Sequence, residues 1–418
     1  MRRLVIPVLA VVLAALAVAP AASGAAEPTV RDVGPMVGFR RYESSYTIDV
    51  ADVNGDGWDD VLIGHHGSRP AELFMNQVLD GRSIGFEPVH QFVDSIHGRP
   101  DRHGCIWGDP NLDGLLDLVC AKGAQQGQGH KKWNELWIQG PPGTWTDEAH
   151  AWGIEDVWGR GRHPDWIDLN HDKYPDLFMG NDEPRYDSHT TPNRTYVNVG
   201  GTHFRQVDLG ITKQDGSSCE QTVDINHDGW DDLLLCGDKR TILYVRKGDR
   251  FVDEDARYNV PPEPIVNGAQ ITDVSGDGIP DLILVSLHRL TVQLGTANGS
   301  FGSPVLSMPM GHGHGLAIGD VNGDGSPDIY AVDGCKNRVN QPDILLLNSG
   351  NGRDWTQLAL PPLPPGPLAG CGDTAAMLDF DHDGAMDIVV LNGGGNDQPL
   401  DLNGPDQLLT LGNWQPLR

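Results

Sequence analysis

The chain is expected to fold as an all-β, seven-bladed β-propeller with four-stranded blades, and three observations predict this. An aspartate-rich loop, Asp-x-Asn-x-Asp-Gly-x-x-Asp in its commonest form, occurs seven times. Each copy runs directly into a short apolar segment, as in Asp328-Ile-Tyr-Ala-Val332. The copies recur about every fifty residues, the period of repeat architectures in which one unit cannot bury its own apolar faces. Four short strands per unit, repeated radially, make a propeller.

The elements follow in a constant order. An alternating segment comes before the loop, such as 315–320, and the apolar segment after it. A third segment recurs at 72–76, 134–138, 193–197, 241–245, 290–294, 343–347 and 406–410. A fourth follows a Gly-rich turn at 85–89, 144–147, 203–207, 250–253, 300–303 and 354–357. Short period-2 runs punctuated by Gly, Asn and Pro read as strands. The seventh unit lacks a fourth strand, and 29–37 resembles the outer strand at 204–211. That N-terminal segment is expected to complete the last blade and remove the open sheet edges of a linear array. The Pro-rich run 361–367 reads as a stiff connection between blades.

Residues 1–25 begin Met1-Arg2-Arg3, continue through an apolar run and end in small residues. This is the pattern of a secretory signal peptide, leaving 26–418 as one propeller domain. No other segment is apolar over a membrane-spanning length, so the mature chain is expected to be secreted and without a membrane span.

Each loop offers oxygen ligands at positions 1, 3, 5 and 9. These are Asp52, Asn54, Asp56, Asp60; Asp109, Asn111, Asp113, Asp117; Asp168, Asn170, Asp172, Asp176; and Asp224, Asn226, Asp228, Asp232. The remaining sets are Asp273, Ser275, Asp277, Asp281; Asp320, Asn322, Asp324, Asp328; and Asp379, Asp381, Asp383, Asp387. Calcium takes six to eight hard oxygens in a flexible cage, so up to one Ca²⁺ per blade is expected, with a structural role. Glycine at position 6 permits a sharp turn. Position 12, the essential Glu of an EF-hand, holds strand residues such as Ile63 and Leu235, which excludes that motif. Lys173 in place of the glycine should weaken the third loop, and Ser275 the fifth.

The formal net charge of −28 is largely the sum of these loops. An acidic chain is a poor partner for nucleic acid, whose phosphates want a basic surface. Six cysteines in an exported chain suggest disulfides. Cys105 with Cys120 and Cys219 with Cys236 flank the second and fourth loops, nearly opposite one another across a hairpin. Elimination pairs Cys335 with Cys371.

The repeated loops and their strands resemble the FG-GAP/VCBS repeat family, the blade type of integrin α-subunit propellers and of many exported bacterial proteins. The segments Pro192-Asn-Arg-Thr-Tyr-Val-Asn198 and Gly180-Asn-Asp182 further resemble cartilage acidic protein and its bacterial relatives. Those relatives carry a C-terminal module after the propeller, which this chain is expected to lack. The resemblance implies calcium binding and an adhesive or ligand-binding role, and it transfers no particular ligand.

Strand direction places a candidate ligand site. The innermost strand runs down into the loop, so residues six before each loop should ring the upper mouth of the axis. They are Tyr46, His103, Arg162, Ser218, Asn267, His314 and Asp373, with His163, His312, Glu220 and Arg102 beside them. Connections after the second strand add His65, His66, Lys122, Asn181, Asp182, Asp238 and His288. The candidate ligand set is His103, Arg162, His163, Asn267, His312, His314 and Asp373, suited to a glycan or another polar ligand. The plainer alternative is a water-filled channel with solvated polar walls. His312 with His314, or His65 with His66, could instead bind a transition metal.

Trp107, Trp133, Trp137, Trp145, Trp152, Trp158 and Trp166 cluster in blades two and three. They read first as packing between blades. Trp152 and Trp158 are the candidates for exposure and sugar stacking.

Two functions follow. One is a secreted, monomeric, noncatalytic module binding glycan or protein on the upper face. The alternative is a propeller-fold carbohydrate-active enzyme, such as a polysaccharide lyase, using His and Arg at the axial mouth. The fold cannot decide between them. No nucleophile motif, Gly-rich phosphate loop or HExxH supports other chemistry.

Overall fold

Every aspartate at loop position 9 is the first residue of a strand. The second strands are Asp60–His65, Asp117–Lys122, Asp176–Asn181, Asp232–Cys236, Asp281–Ser286, Asp328–Asp333 and Asp387–Leu391. Each pairs antiparallel with an inner strand that ends just before the loop. The inner strands are Ser45–Ala51, Arg102–Gly108, Gly161–Ile167, Cys219–Val223, Val266–Thr272, Gly313–Gly319 and Thr374–Leu378. The computed structural model describes residues 28–39, 45–65, 69–93, 101–123, 133–141, 143–182, 191–211, 219–237, 240–263, 266–336, 339–362, 372, 374–393, 404–412 and 414–415. They form seven four-stranded antiparallel sheets, one per blade, with almost no helix. The leader expected over 1–25 lies outside them.

The chain closes as the N-terminal repeat pattern predicts, but with a shorter strand. Only Arg31–Asp32 is extended, pairing with Thr410 and Leu409 in the last blade. Beyond it, Gly34–Met36 turns as a 3₁₀ helix, and the Val33 amide donates to Leu408 at 2.8 Å. Val33, Val37 and Phe39 then anchor this segment in the apolar seam between blades seven and one.

Apolar alternation explains how blades stack. The middle strands are buried on both faces, so successive residues serve opposite seams. Leu177 and Met179 pack toward blade two, whereas Phe178 packs toward blade four. The same division gives seven clusters, each drawn from two neighbouring blades, and closes the core into a ring. Helical turns at Ala149–Trp152 and Asp255–Tyr258 add Trp152 and Tyr258 to these seams. Trp107, Trp137 and Trp145 pack around Phe92 at 5.2–6.2 Å. Most of the tryptophan cluster is therefore seam packing, Trp152 included, which corrects its expected exposure.

Cys105 pairs with Cys120 and Cys219 with Cys236, each bridge joining directly opposed residues of an inner hairpin. The expected Cys335–Cys371 bridge falls outside the described residues. These disulfides accord with an extracellular location. Among the described residues, no helix is long and apolar enough to cross a membrane.

Phe178→Ala would empty a fully buried site in the seam between blades three and four. The expected loss is about 3–5 kcal/mol, read as a lower midpoint in urea unfolding followed by circular dichroism.

Candidate functional site: axial cavity and aspartate loops

The inner strands line a cavity of about 590 Å³ along the propeller axis, and all seven contribute to its wall. Five of them carry a β-bulge at the same height. Pairing jumps from Ser45 to Thr47, Arg102 to Gly104, Gly161 to Pro164, Val266 to Gly268, and Gly313 to Gly315. The residues inside these jumps are Tyr46, His103, Arg162 with His163, Asn267, and His314. A bulge takes its residue out of the ladder and re-aims the side chain. Each of the five described positions six before a loop therefore sits at a bulge.

Tyr46, Arg162, His163, Asn267 and His314 line the cavity. His103 is buried beside them, its ring edge-on to Tyr46 at 5.1 Å. His312 stacks on His314 with ring centres 5.0 Å apart. Among the described residues, no third His, Cys, Asp or Glu joins these two imidazoles as a metal ligand. Asp373, Ser218, His66 and Asp238 lie outside the described residues. Other expected rim residues are placed elsewhere. Lys122 and Arg102 form a buried triad with Glu135, at 2.5 and 2.6 Å. His65 is buried 3.8 Å from Glu72, and His288 is exposed in a turn of blade five.

Electrostatics divide the wall. Arg160 and Arg162 converge on one oxygen of Asp182, with Arg162 Nη2 at 2.9 Å. Burial, reinforced by Arg162, lowers His163 to about 4. Burial, reinforced by His312, does the same to His314. Both imidazoles are therefore neutral at pH 7, each with one ring donor and one acceptor. Deeper in, burial raises Asp49 to about 7, against the amides of Trp107 and Val50.

Asp49 also shows a device that the sequence reading missed. Its Oδ2 accepts the Trp107 amide of the next blade at 2.7 Å. Asp165 accepts both the amide and hydroxyl of Thr222 at 2.8 Å. Gln221 accepts the Ile271 amide at 2.6 Å and donates to its carbonyl at 3.0 Å. In each case the residue three before the loop bridges to the next inner strand. Ile106 cannot do so, and there Trp166 Nε1 donates to the Trp107 carbonyl at 2.8 Å. The signal was present as polar residues at one strand position, but their target lies about fifty residues away.

The loops share a hydrogen-bond pattern. In the first, Asp52 accepts the amides of Asp56 and Gly57 at 2.9 and 2.7 Å, and Asp56 accepts that of Trp58 at 2.9 Å. Position 6 glycines have φ between 83° and 89°. Position 4 is left-handed in all seven loops as well, including Leu112, His171, His227 and His382. Recurrent Gly and His at that position were the available clue. Lys173 is not left-handed, and the third loop departs there: Asp168 Oδ1 accepts Asn170 and His171 instead.

The aspartate at position 9 is buried in every loop. Asp60 accepts the amides of Val53 at 3.0 Å and Asn76 at 2.9 Å, tying the loop to the third strand. Asp176, Asp232, Asp281 and Asp328 repeat this. In the second loop Pro110 has no amide to give, so Asp117 Oδ2 is buried with no hydrogen-bond partner. In the seventh, one carboxylate oxygen from each of Asp379, Asp381 and Asp387 lies within 4.8 Å of the others. An orphaned buried carboxylate oxygen and a gathered acid trio are donor sets that fit a hard cation.

The FG-GAP-like repeat matches residues 109–179, 224–284 and 273–331. Integrin alpha-5 of Xenopus laevis is 27% identical over 158 residues, covering 32% of this chain and 14% of the integrin. The match thus spans about one-seventh of that relative. The solved complex of BBS1N with ARL6DN is similar over 93% of this chain and 98% of that one, with TM-score 0.50 and 10% identity. An Agrocybe aegerita lectin that recognises non-reducing terminal N-acetylglucosamine has TM-score 0.48 and 16% identity, covering 75% of this chain and 80% of its own. The rhamnogalacturonan lyase of Bacillus licheniformis has TM-score 0.45 and 12% identity, covering 88% and 72%. At these identities the structural likenesses describe the fold alone.

Asp49 binds its proton more tightly in the folded chain than in the unfolded one, so its contribution to stability falls as pH rises from about 4 to about 7. Asp49→Asn keeps an acceptor for Trp107 and removes that proton. Its urea midpoint, relative to the parent, should rise steadily over this pH interval.

Proposed function

Because this chain belongs to the FG-GAP repeat family, we propose that it is a secreted, noncatalytic module that binds a glycan or protein ligand at the axial mouth. Calcium in the aspartate loops holds its blades. The observation that carries the reading is the set of bulges: five blades break their ladder at one height, and four of them place the bulged polar side chain on the wall of one cavity. A volume near 590 Å³ suits a small ligand or the end of a polymer. Neutral His163 and His314, together with Asn267 and Tyr46, supply paired donors and acceptors for hydroxyl groups. Among these, we favour a glycan as the ligand.

Asp, Asn and Ser oxygens at positions 1, 3, 5 and 9 would hold the ions. When bound, Ca²⁺ supplies positive charge among clustered carboxylates and closes the turn. The orphaned Asp117 oxygen and the trio of the seventh loop support this assignment. The altered hydrogen bonding at Lys173 makes the third loop the weakest.

Calorimetric titration of the chelated protein should show cation uptake at several sites, and EDTA should lower the melting temperature by several degrees. Lys173→Gly should add or tighten one site. No uptake and an unchanged melting temperature would remove calcium from the account.

A glycan array, read in calcium and in chelator, tests the ligand. Binding lost in His314→Ala without turnover supports the module. Release of unsaturated uronides would replace it with an enzyme acting through His163 and Arg162.

A further inference from the structure

We infer that a second cavity, in the seam between blades six and seven, binds an alkylammonium ion, its charged head on Asp343 and its hydrocarbon stem on neighbouring leucines. This cavity shares no wall residue with the axial one, so the inference stands apart from the glycan reading.

The cavity has a volume of about 370 Å³, within the range of small-ligand sites. Blade six supplies the residues leading into its third strand, Ile344–Asn348, and the end of its fourth, Trp355–Leu358. Blade seven supplies Gln407 and Leu409 from its third strand, Gln407–Thr410. Leu358 and Leu409 belong to one apolar cluster with Leu360 packed against it, which gives the cavity an aliphatic side. Asp343 is the one carboxylate among the described wall residues.

The structural duty of Asp343 needs only one oxygen. In three blades the residue just before the third strand accepts the amide that ends the second. Asn134 accepts Lys122 at 3.2 Å, Asn193 accepts Asn181 at 2.7 Å, and Asp343 Oδ1 accepts Asp333 at 2.7 Å. Asparagine suffices in blades two and three, so the fold requires neither the second oxygen nor the charge. In blade six that second oxygen, Oδ2, accepts the Tyr330 hydroxyl at 2.6 Å in a partly buried bond.

Chemistry selects the ligand. Burial raises Asp343 to about 7, and the nearby Asp333 adds to the rise. Asp333 is itself held by the amides of Gly311 and His312 at 2.7 and 2.5 Å. Burial keeps Tyr330 protonated, well above its usual range, so its hydroxyl remains a donor. The fourth strand and blade seven face the cavity with Gln357 and Gln407, which do not titrate. Among the described residues no cation is paired with Asp343. A carboxylate pushed up by burial, without a countercharge and beside leucines, complements an ammonium on an aliphatic stem. The ammonium has three donors to share between Oδ2 and the Gln357 side-chain carbonyl. A formal net charge of −28 also enriches cations around the chain.

The test is calorimetry on the full chain in calcium buffer, so that the aspartate loops do not compete. The probes are pentylamine, its neutral counterpart pentanol, and N-acetyl-lysine methylamide. Pentylamine should bind at least about tenfold more tightly than pentanol, as expected of a charge-assisted hydrogen bond. Asp343→Asn keeps the acceptor for the Asp333 amide. It should erase that preference while leaving the melting temperature and circular dichroism unchanged. The parent's affinity for pentylamine should rise from about pH 5.5 to about pH 7.5, with proton release at the lower end, because the ammonium requires an ionised Asp343. Should Asp343→Asn unfold the chain, this profile decides instead, and a pH-independent affinity would overturn the inference. N-acetyl-lysine methylamide bound as tightly as pentylamine supports the site and identifies the natural ligand as a lysine side chain of a partner protein. Its weaker binding supports the site with a free amine as the ligand. No pentylamine binding, equal affinity for amine and alcohol, or amine binding that survives Asp343→Asn would overturn the assignment.

Discussion

A buried carboxylate at the start of each second strand is the constraint on which this structure rests. In five blades one oxygen holds the turn that follows the inner strand, and the other holds the third strand of the same sheet. Three segments thus meet at one side chain in each of these blades. The next contact joins blades: Asn76, Asn198 and Asn348, each beside such an aspartate, donate to the carbonyls of Phe380, Pro110 and Val274 in the preceding loops at 2.7–2.9 Å. The bond from Asn76 to Phe380 spans the seam where the ends of the chain meet. Ring closure therefore uses the same device as two other seams, and the short strand Arg31–Asp32 completes it.

A buried aspartate is unfavourable when charged, and burial raises the pKa of these residues, to about 8 at Asp387. A proton, or a cation of the kind proposed for these loops, would neutralise them. The loops are also linked to each other. Trp58 stacks on His382 with centroids 3.7 Å apart across the closing seam, and His171 meets Trp230 at 3.6 Å. Two pairs of neighbouring loops are thus linked at the lower face, opposite the bulged ends of the inner strands. This division of labour explains why one face repeats so faithfully and the other does not. The lower face must satisfy the same backbone amides in every blade, whereas the upper face has no such duty.

Much of this was legible in the residues. The period located each blade, Gly and Asn located turns, and the cysteine spacing located both described bridges because a hairpin fixes which residues oppose. Position six before the loop was recognisable as the axial rim, since strand direction alone determines which end of an inner strand faces which side. Less legible was the choice among the aromatic residues. Trp152 and Trp158 share one connecting segment, yet one fills a seam against Phe204 at 5.4 Å and the other faces solvent. Nor did the chain reveal that Arg160 would join Arg162 on Asp182, beside the bulge between Gly161 and Pro164.

Local order along the chain therefore specified the sheet architecture, the number of blades and the aspartate loops, because each is written within one unit and repeated. The partners of Asp49, Asp165 and Gln221 came only from packing blade against blade. Such contacts join residues that are far apart in sequence but adjacent around a closed ring. Their geometry depends on how two twisted sheets meet, and no short stretch of residues encodes that.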